Sequence, residues 1–174
     1  MKLRAISVII FVGAYLLSFN YYFIQPPKLT IITQDCDSIP IMNQQIIGFV
    51  NSKMNRKVGR GECWDLAAEV LNLIDAKWDG KYKYGRKVSY KTDCIFPGDI
   101  IQFEGVKVKY EKNGIKYKEK MRHHTAVIYE VKGVGNYTLA HQNTGFSGKK
   151  VGLSLLEIKN ITKGKFIIYR PIKN

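Results

Sequence analysis

Cys63 is the residue in this chain best suited to covalent chemistry, because a thiol that loses its proton is a strong nucleophile. It stands where a glycine-broken loop, Gly59-Arg60-Gly61-Glu62, runs into a helical pattern. Unpaired backbone N–H groups at a helix start favour negative charge by roughly 0.3–1 kcal/mol, which draws the thiol toward the thiolate. Glu62 opposes this unless its carboxylate points away. A sulfur nucleophile also needs a base and a polar group to orient that base. The chain has three histidines, His123, His124 and His141. His123 and His124 open one strand pattern, and His141 lies in the strand that returns beside it. Alternation along a strand puts His124 on one face with Ala126 and Ile128, and His123 on the other with Thr125 and Val127, so only one of the adjacent imidazoles can be the base. His141 and Asn143 share a face of the returning strand, and either could orient His124. Each residue also has a bland reading: a packed core cysteine, or satisfied core and surface histidines. No cysteine–histidine spacing resembles a zinc site, and neither a metal nor a cofactor is expected.

The elements that must position these groups are legible from periodicity. Ile46, Ile47, Phe49, Val50 and Met54 sit at helical spacing, and Asn55 to Gly59 ends that helix. Leu66, Ala67, Val70, Leu71 and Ile74 mark a second helix that starts at Cys63 and runs to about Lys77, before the turn Trp78-Asp79-Gly80. Strands follow. Phe96-Pro97-Gly98-Asp99 is a turn that launches Ile100 to Phe103. Val106 to Met121 alternates around Asn113-Gly114, a type I′ hairpin signal that predicts Tyr110 opposite Tyr117, Glu111 opposite Lys116, Lys109 opposite Lys118 and Lys107 opposite Lys120. His124 to Val131 and Tyr137 to His141 pair around Gly133-Val134-Gly135-Asn136, and Val151 to Leu156 and Phe166 to Tyr169 supply two more strands. Helices followed by an antiparallel meander make an α+β fold.

In order, Gly61-Glu62-Cys63-Trp64-Asp65-Leu66-Ala67, Pro97-Gly98-Asp99-Ile100-Ile101-Gln102-Phe103, His124-Thr125-Ala126-Val127-Ile128 and His141-Gln142-Asn143 resemble the NlpC/P60 and CHAP superfamily of papain-like cysteine peptidases and amidases. The resemblance spans roughly Gln44 to Tyr169. It implies a papain-like NlpC/P60-type domain with N-terminal helices packed on an antiparallel sheet. It also implies Cys63 as nucleophile, His124 as base and His141 as orienter, with Asn143 matching the Asn that follows the acidic third residue of CHAP domains. CHAP members usually carry Glu at the position of His141, whereas NlpC/P60 members often carry His, so the chain sits between the two. The activity implied is hydrolysis of an amide, with peptidoglycan or another peptide as substrate.

Composition bounds the rest. The 174 residues, 45% of them hydrophobic, suit one ordinary domain. Lys2 and Arg4 precede an apolar run from Ala5 to Leu17, continued to Ile24, which reads as an N-terminal hydrophobic helix. The expected organisation is a signal peptide or membrane anchor over 1–25, a linker over 26–43 and the hydrolase domain over 44–174. That start implies a cell-envelope or secreted protein. The net charge of +14 implies an anionic partner, such as a wall polymer or lipid surface, and the export signal demotes nucleic acid. A monomer is expected. A second class of function is a non-catalytic envelope-binding module on the same fold, with Lys107, Lys109, Lys118 and Lys120 as its contact face. Three cysteines make an odd count, and if Cys36 and Cys94 pair, the thiol left over is Cys63.

Overall fold

The computed structural model describes residues 36–174, so the apolar start and nearly all of the stretch read as a linker lie outside the described residues. The elements run α1 (Ile41–Lys53), α2 (Asp65–Leu73), β1 (Arg86–Val88), β2 (Ile100–Lys112), β3 (Ile115–Gly133), β4 (Asn136–His141), β5 (Gly152–Glu157), a 3-10 turn (Ile158–Asn160) and β6 (Ile161–Arg170). The strands form one antiparallel sheet in the order β1-β6-β2-β3-β4-β5.

One face of the sheet carries Ile100, Val127, Ala140 and Tyr169 and is covered by Ile46 and Val50 of α1 and Leu66, Ala67, Val70 and Leu71 of α2. The opposite face gathers Ile101, Phe103, Ala126, Ile128, Leu139 and Ile168 into a second core. This is the period-two consequence of strands buried on both faces. The α+β expectation of helices on an antiparallel sheet holds, as does the hairpin: Asn113 and Gly114 both have positive φ, 53° and 75°, and the four predicted cross-strand pairs are all present.

Three features differ from expectation. The sheet is not a meander, because the C-terminal strand β6 returns to lie between β1 and β2. The two strands expected on either side of Gly105 merge into the single long β2, and likewise β3 runs unbroken from the hairpin through the histidines. Helix α2 stops at Leu73 instead of Lys77, since Asp75 takes a φ of 52° and the Lys77 N–H donates to the Ile172 carbonyl.

The Pro97-Gly98-Asp99 turn joins the layers. The buried Asp99 carboxylate accepts from Asn43 Nδ2 of α1 (2.8 Å), from Arg170 Nε and Nη2 at the end of β6 (3.0 and 2.8 Å) and from the Phe96 N–H (2.9 Å). Gly98 has a φ of 90°, and a Cβ there would lie 2.5 Å from the Asn43 carbonyl oxygen, so only glycine lets α1 approach. A disulfide between Cys36 and Cys94, 58 residues apart, fastens the start of the described chain beside this turn. On the chain-entropy account such a loop stabilises by about 4 kcal/mol. Asp99→Ala leaves the Arg170 guanidinium buried without its carboxylate, and urea unfolding should show a loss of about 3–5 kcal/mol. A loss under about 1 kcal/mol would contradict this account.

Candidate active site

Cys63 precedes α2 rather than beginning it: the helix starts at Asp65, and the Asp65 N–H closes a turn onto the Glu62 carbonyl (3.1 Å). Two side chains hold this loop. The Asp65 carboxylate accepts from the N–H groups of Arg60 (2.8 Å) and Glu62 (3.0 Å). Gln142, fully buried just past β4, donates through Nε2 to the Val58 and Glu62 carbonyls (2.9 and 2.8 Å) and accepts from the Val58 N–H (3.1 Å). The thiol is thereby carried on an anchored loop, within reach of solvent.

The sulfur rests on the backbone of β3. The thiol donates to the His123 carbonyl at 3.8 Å, and the Thr125 N–H points at the sulfur from the next position but one. Groups on alternate residues of an antiparallel strand point to opposite neighbours. The Ile128 N–H donates toward β2, to the Asp99 carbonyl, so even-numbered residues here face β2 and the His123 carbonyl and Thr125 N–H face β4. The pairing of β3 with β4 ends at Val127 and Ala140. Cys63 therefore sits along the edge of β3 that β4 has vacated, flanking the Cα of His124.

Two imidazoles border that edge. His124 leans toward β4: its Nε2 lies 2.8 Å from Nδ1 of His141, and Nε2 of His141 lies 2.8 Å from the Ser154 hydroxyl on β5. His123 leans toward β2, where its Nδ1 donates to Glu104 (2.8 Å) and its ring stands edge-on to Tyr82 with centroids 4.1 Å apart. Trp64 touches Tyr82 and Trp78, completing an aromatic wall on the helix side. On the other side His124, His141, Asn143, Thr144, Phe146 and Met121 line a cavity of about 350 Å³.

Of the four residues singled out, His124 and His141 meet as the paired strands require, and Cys63 abuts the backbone around His124. Asn143 lines the same cavity as the two histidines but is not hydrogen-bonded to either imidazole. The strand β4 ends at His141, Asn143 turns to a φ of 60°, and its amide donates to Glu62 Oε2 (2.9 Å), so the expectation that it shares a face with His141 and orients His124 is corrected. Sequence reasoning also missed Ser154, whose role depends on how β5 lies beside β4. It missed Gln142 too, although alternation from Ala140 puts that residue on the helix face, toward the loop.

The electrostatics overturn a further expectation. Burial pushes the Cys63 thiol above its ordinary value of 9.0; the Thr125 N–H pulls down, Glu62 pushes up, and the N–H groups of Trp64 and Cys63 pull down without cancelling the rise. Burial, with the nearby His123, lowers His124 to about 4, and burial, with His124, lowers His141 to about 3. The thiol and the His124 imidazole are thus both neutral at rest. Glu104 is different: burial raises it, but hydrogen bonds from His123 and Gln102 outweigh this and hold its carboxyl below the usual range.

The family described as "AIM3/BBC1 Cysteine proteinase-fold domain" matches residues 41–174. Altered inheritance of mitochondria protein 3 of Debaryomyces hansenii is 29% identical over 151 aligned positions, covering 74% of this chain and 16% of that protein, so the chain spans about a sixth of the length of this relative. Two crystal structures of Ly7917, one with the hydrolyzing product of MDP, share 14% identity with TM-scores of 0.47 and 0.49. The matches cover 73% and 74% of this chain and 62% of theirs. The resemblance to papain-like cysteine peptidases is borne out by the family match. The expected cell-envelope or secreted location is overturned by the relation to a yeast protein. It had rested on the apolar start, and among the described residues no helix is long and apolar enough to cross a membrane.

Two measurements test this account of the site. Iodoacetamide alkylation of Cys63, with Cys36 and Cys94 oxidised, should keep accelerating as pH rises through 9.0, and a midpoint below about 8.5 would contradict the buried neutral thiol. Because both buried imidazoles titrate below their unfolded value, the unfolded chain takes up protons first. Stability should therefore be flat between about pH 7 and 8, fall between pH 6.5 and about 3 with a shallower fall in His124→Gln/His141→Gln, and fall again above about pH 9, where the unfolded chain gives up the Cys63 proton first.

Proposed function

The chain belongs to the AIM3/BBC1 family of cysteine proteinase-fold domains, and from that premise we propose that it is a cysteine hydrolase acting on amide bonds of peptide substrates, with Cys63 as nucleophile, His124 as base and His141 as the residue that positions it. The observation that carries this reading is the shared edge. The sulfur lies on the β4 side of β3, and His124 turns its ring to that same side while His123 turns away toward Glu104.

Because Nε2 of His124 is taken up by His141, the nitrogen left for the sulfur is Nδ1. The tautomers then follow. With Nδ1 as acceptor, His124 Nε2–H donates to His141 Nδ1, and His141 Nε2–H donates to Ser154. In the first step the thiol proton passes to His124 Nδ1 as sulfur bonds to the amide carbonyl carbon. The backbone N–H groups of Cys63 and Trp64, already aimed at the sulfur, are placed to receive the oxyanion. The imidazolium then protonates the departing amine, leaving a thioester. Water attacks the thioester carbonyl while giving a proton to His124, and collapse releases the acid and returns the proton to sulfur. Since neither His141 nor Ser154 carries a negative charge, nothing in the relay holds the imidazolium before substrate arrives, and the proton moves as the carbonyl is attacked.

A second reading has one observation in its favour: the raised thiol and the depressed imidazoles would also suit a domain that keeps this frame and binds without turnover. Peptide-amide libraries and peptidoglycan fragments, assayed by mass, separate the two. Cys63→Ala should abolish product. His124→Ala should lower kcat by about 10²–10⁴-fold, and His123→Ala should keep most activity. A thioester adduct on Cys63 should be trapped when the reaction is quenched in acid. Turnover that survives loss of the sulfur, or that is lost with His123 but kept without His124, would sink the assignment.

A further inference from the structure

The outer half of the β2–β3 hairpin carries cations that amide hydrolysis does not use. Lys107 stands opposite Lys120 on β3 and opposite Lys163 on β6, and Lys109 stands opposite Lys118. These side chains are exposed, and the ion pairs among the described residues all involve other lysines, arginines and histidines. One acidic residue, Glu111 opposite Lys116, closes the face at its outer rung. Arg122 joins Lys107 and Lys120 around a groove of about 270 Å³. Like charges directly opposite each other destabilise a sheet. Lysines on edge strands are ordinarily accounted for as protection against aggregation. That account fails for Lys107, because β2 is paired on both sides and has no free edge there.

We propose that this face binds an extended acidic polypeptide segment with carboxylates at alternate positions. Lys107 and Lys109, like Lys118 and Lys120, are two residues apart on their strands, a separation of about 6.8 Å. Alternate side chains of an extended peptide repeat at the same interval, so a segment lying along the hairpin can meet two lysine rows in step. Lysine ammonium groups on flexible stems suit such a partner, since each needs only a nearby charge and no fixed fork geometry. Lys120 also lines the cavity at His124 and His141, so a segment on the hairpin leads into that cavity. This routing rests on Cys63 and His124 being the reacting pair, whereas binding to the lysine face does not.

The test uses the 174-residue chain carrying Cys63→Ala, so that binding is read without turnover. Fluorescence anisotropy compares a labelled Glu-Thr repeat peptide with its Gln-Thr counterpart. The Glu peptide should bind at least about tenfold tighter, weaken as salt is raised, and lose that advantage with Lys107→Glu/Lys109→Glu but keep it with Lys77→Glu/Lys87→Glu. The face variant should melt no lower than its parent, because it removes like-charge pairs; Lys118→Gln/Lys120→Gln is a second variant that must show the same loss. Equal binding of the two peptides, or an unchanged affinity in both face variants, would overturn the proposal. So would displacement of the peptide by phosphatidylserine vesicles or duplex DNA at lower charge concentration than by unlabelled Glu peptide.

Discussion

The departure of β4 from β3 after the Val127–Ala140 rung is the constraint on which the site depends. Had the ladder continued, the His123 carbonyl and Thr125 N–H would have been taken by backbone, and no side chain could have entered the sheet plane beside His124. Because the ladder stops, those two groups face an opening, and the Cys63 sulfur fills it. The same departure frees the segment after His141 to turn, which lets Gln142 reach the loop before Cys63 and lock it. A buried amide with three good hydrogen bonds has little freedom, so the position of the sulfur is set by the end of β4 as much as by α2.

The two adjacent histidines show how strongly a strand separates its faces. His123 shares its side with Glu104 and Gln102 and hydrogen-bonds the Glu104 carboxylate. His124, one residue on, is buried against Phe103 and His141, where no carboxylate among the described residues makes a hydrogen bond with it. Desolvation then decides, and the ring stays neutral to about pH 4. A chain of imidazole, imidazole and hydroxyl orients the His124 ring without charging it. On the proposed reading, such a site would move a proton during attack in place of a standing thiolate–imidazolium pair.

The parts of the molecule that were legible in the sequence are those set by local periodicity. Asn113-Gly114 fixes both a turn type and the register of every rung out to Lys107 and Lys120, and the apolar spacing of α1 places the end of that helix to within a residue or so, though the helix starts earlier, at Ile41. Alternation correctly sorted His124 from His123. What was not legible depends on chain segments far apart. The placement of β6 between β1 and β2 follows from burying Ile168 and Tyr169 and from joining Arg170 to Asp99, which no window of neighbouring residues displays. The strand expected over Tyr137 to His141 ends where β4 ends, but the direction of Asn143 was misjudged for a similar reason. Asn143 continues the alternation on paper, but its amide finds Glu62 across the molecule and the backbone turns to meet it. The thiol was misjudged because a helix start was credited with lowering its pKa, while burial outweighs the N–H groups that pull it down.

Stability and chemistry in this domain are joined at two buried polar groups that bracket the sheet. Asp99 binds α1 and β6 to the start of β2, which sets the height of β2 against β3 and so the level of His124. Gln142 binds the loop before α2 to the end of β4, which sets the level of Cys63. Both are hydrogen-bonded side chains in apolar surroundings, where an unmet partner costs more than a met one returns. Sulfur and imidazole come from elements with no local reason to meet. In the arrangement that satisfies both Asp99 and Gln142, the loop before α2 lies at the open edge of β3.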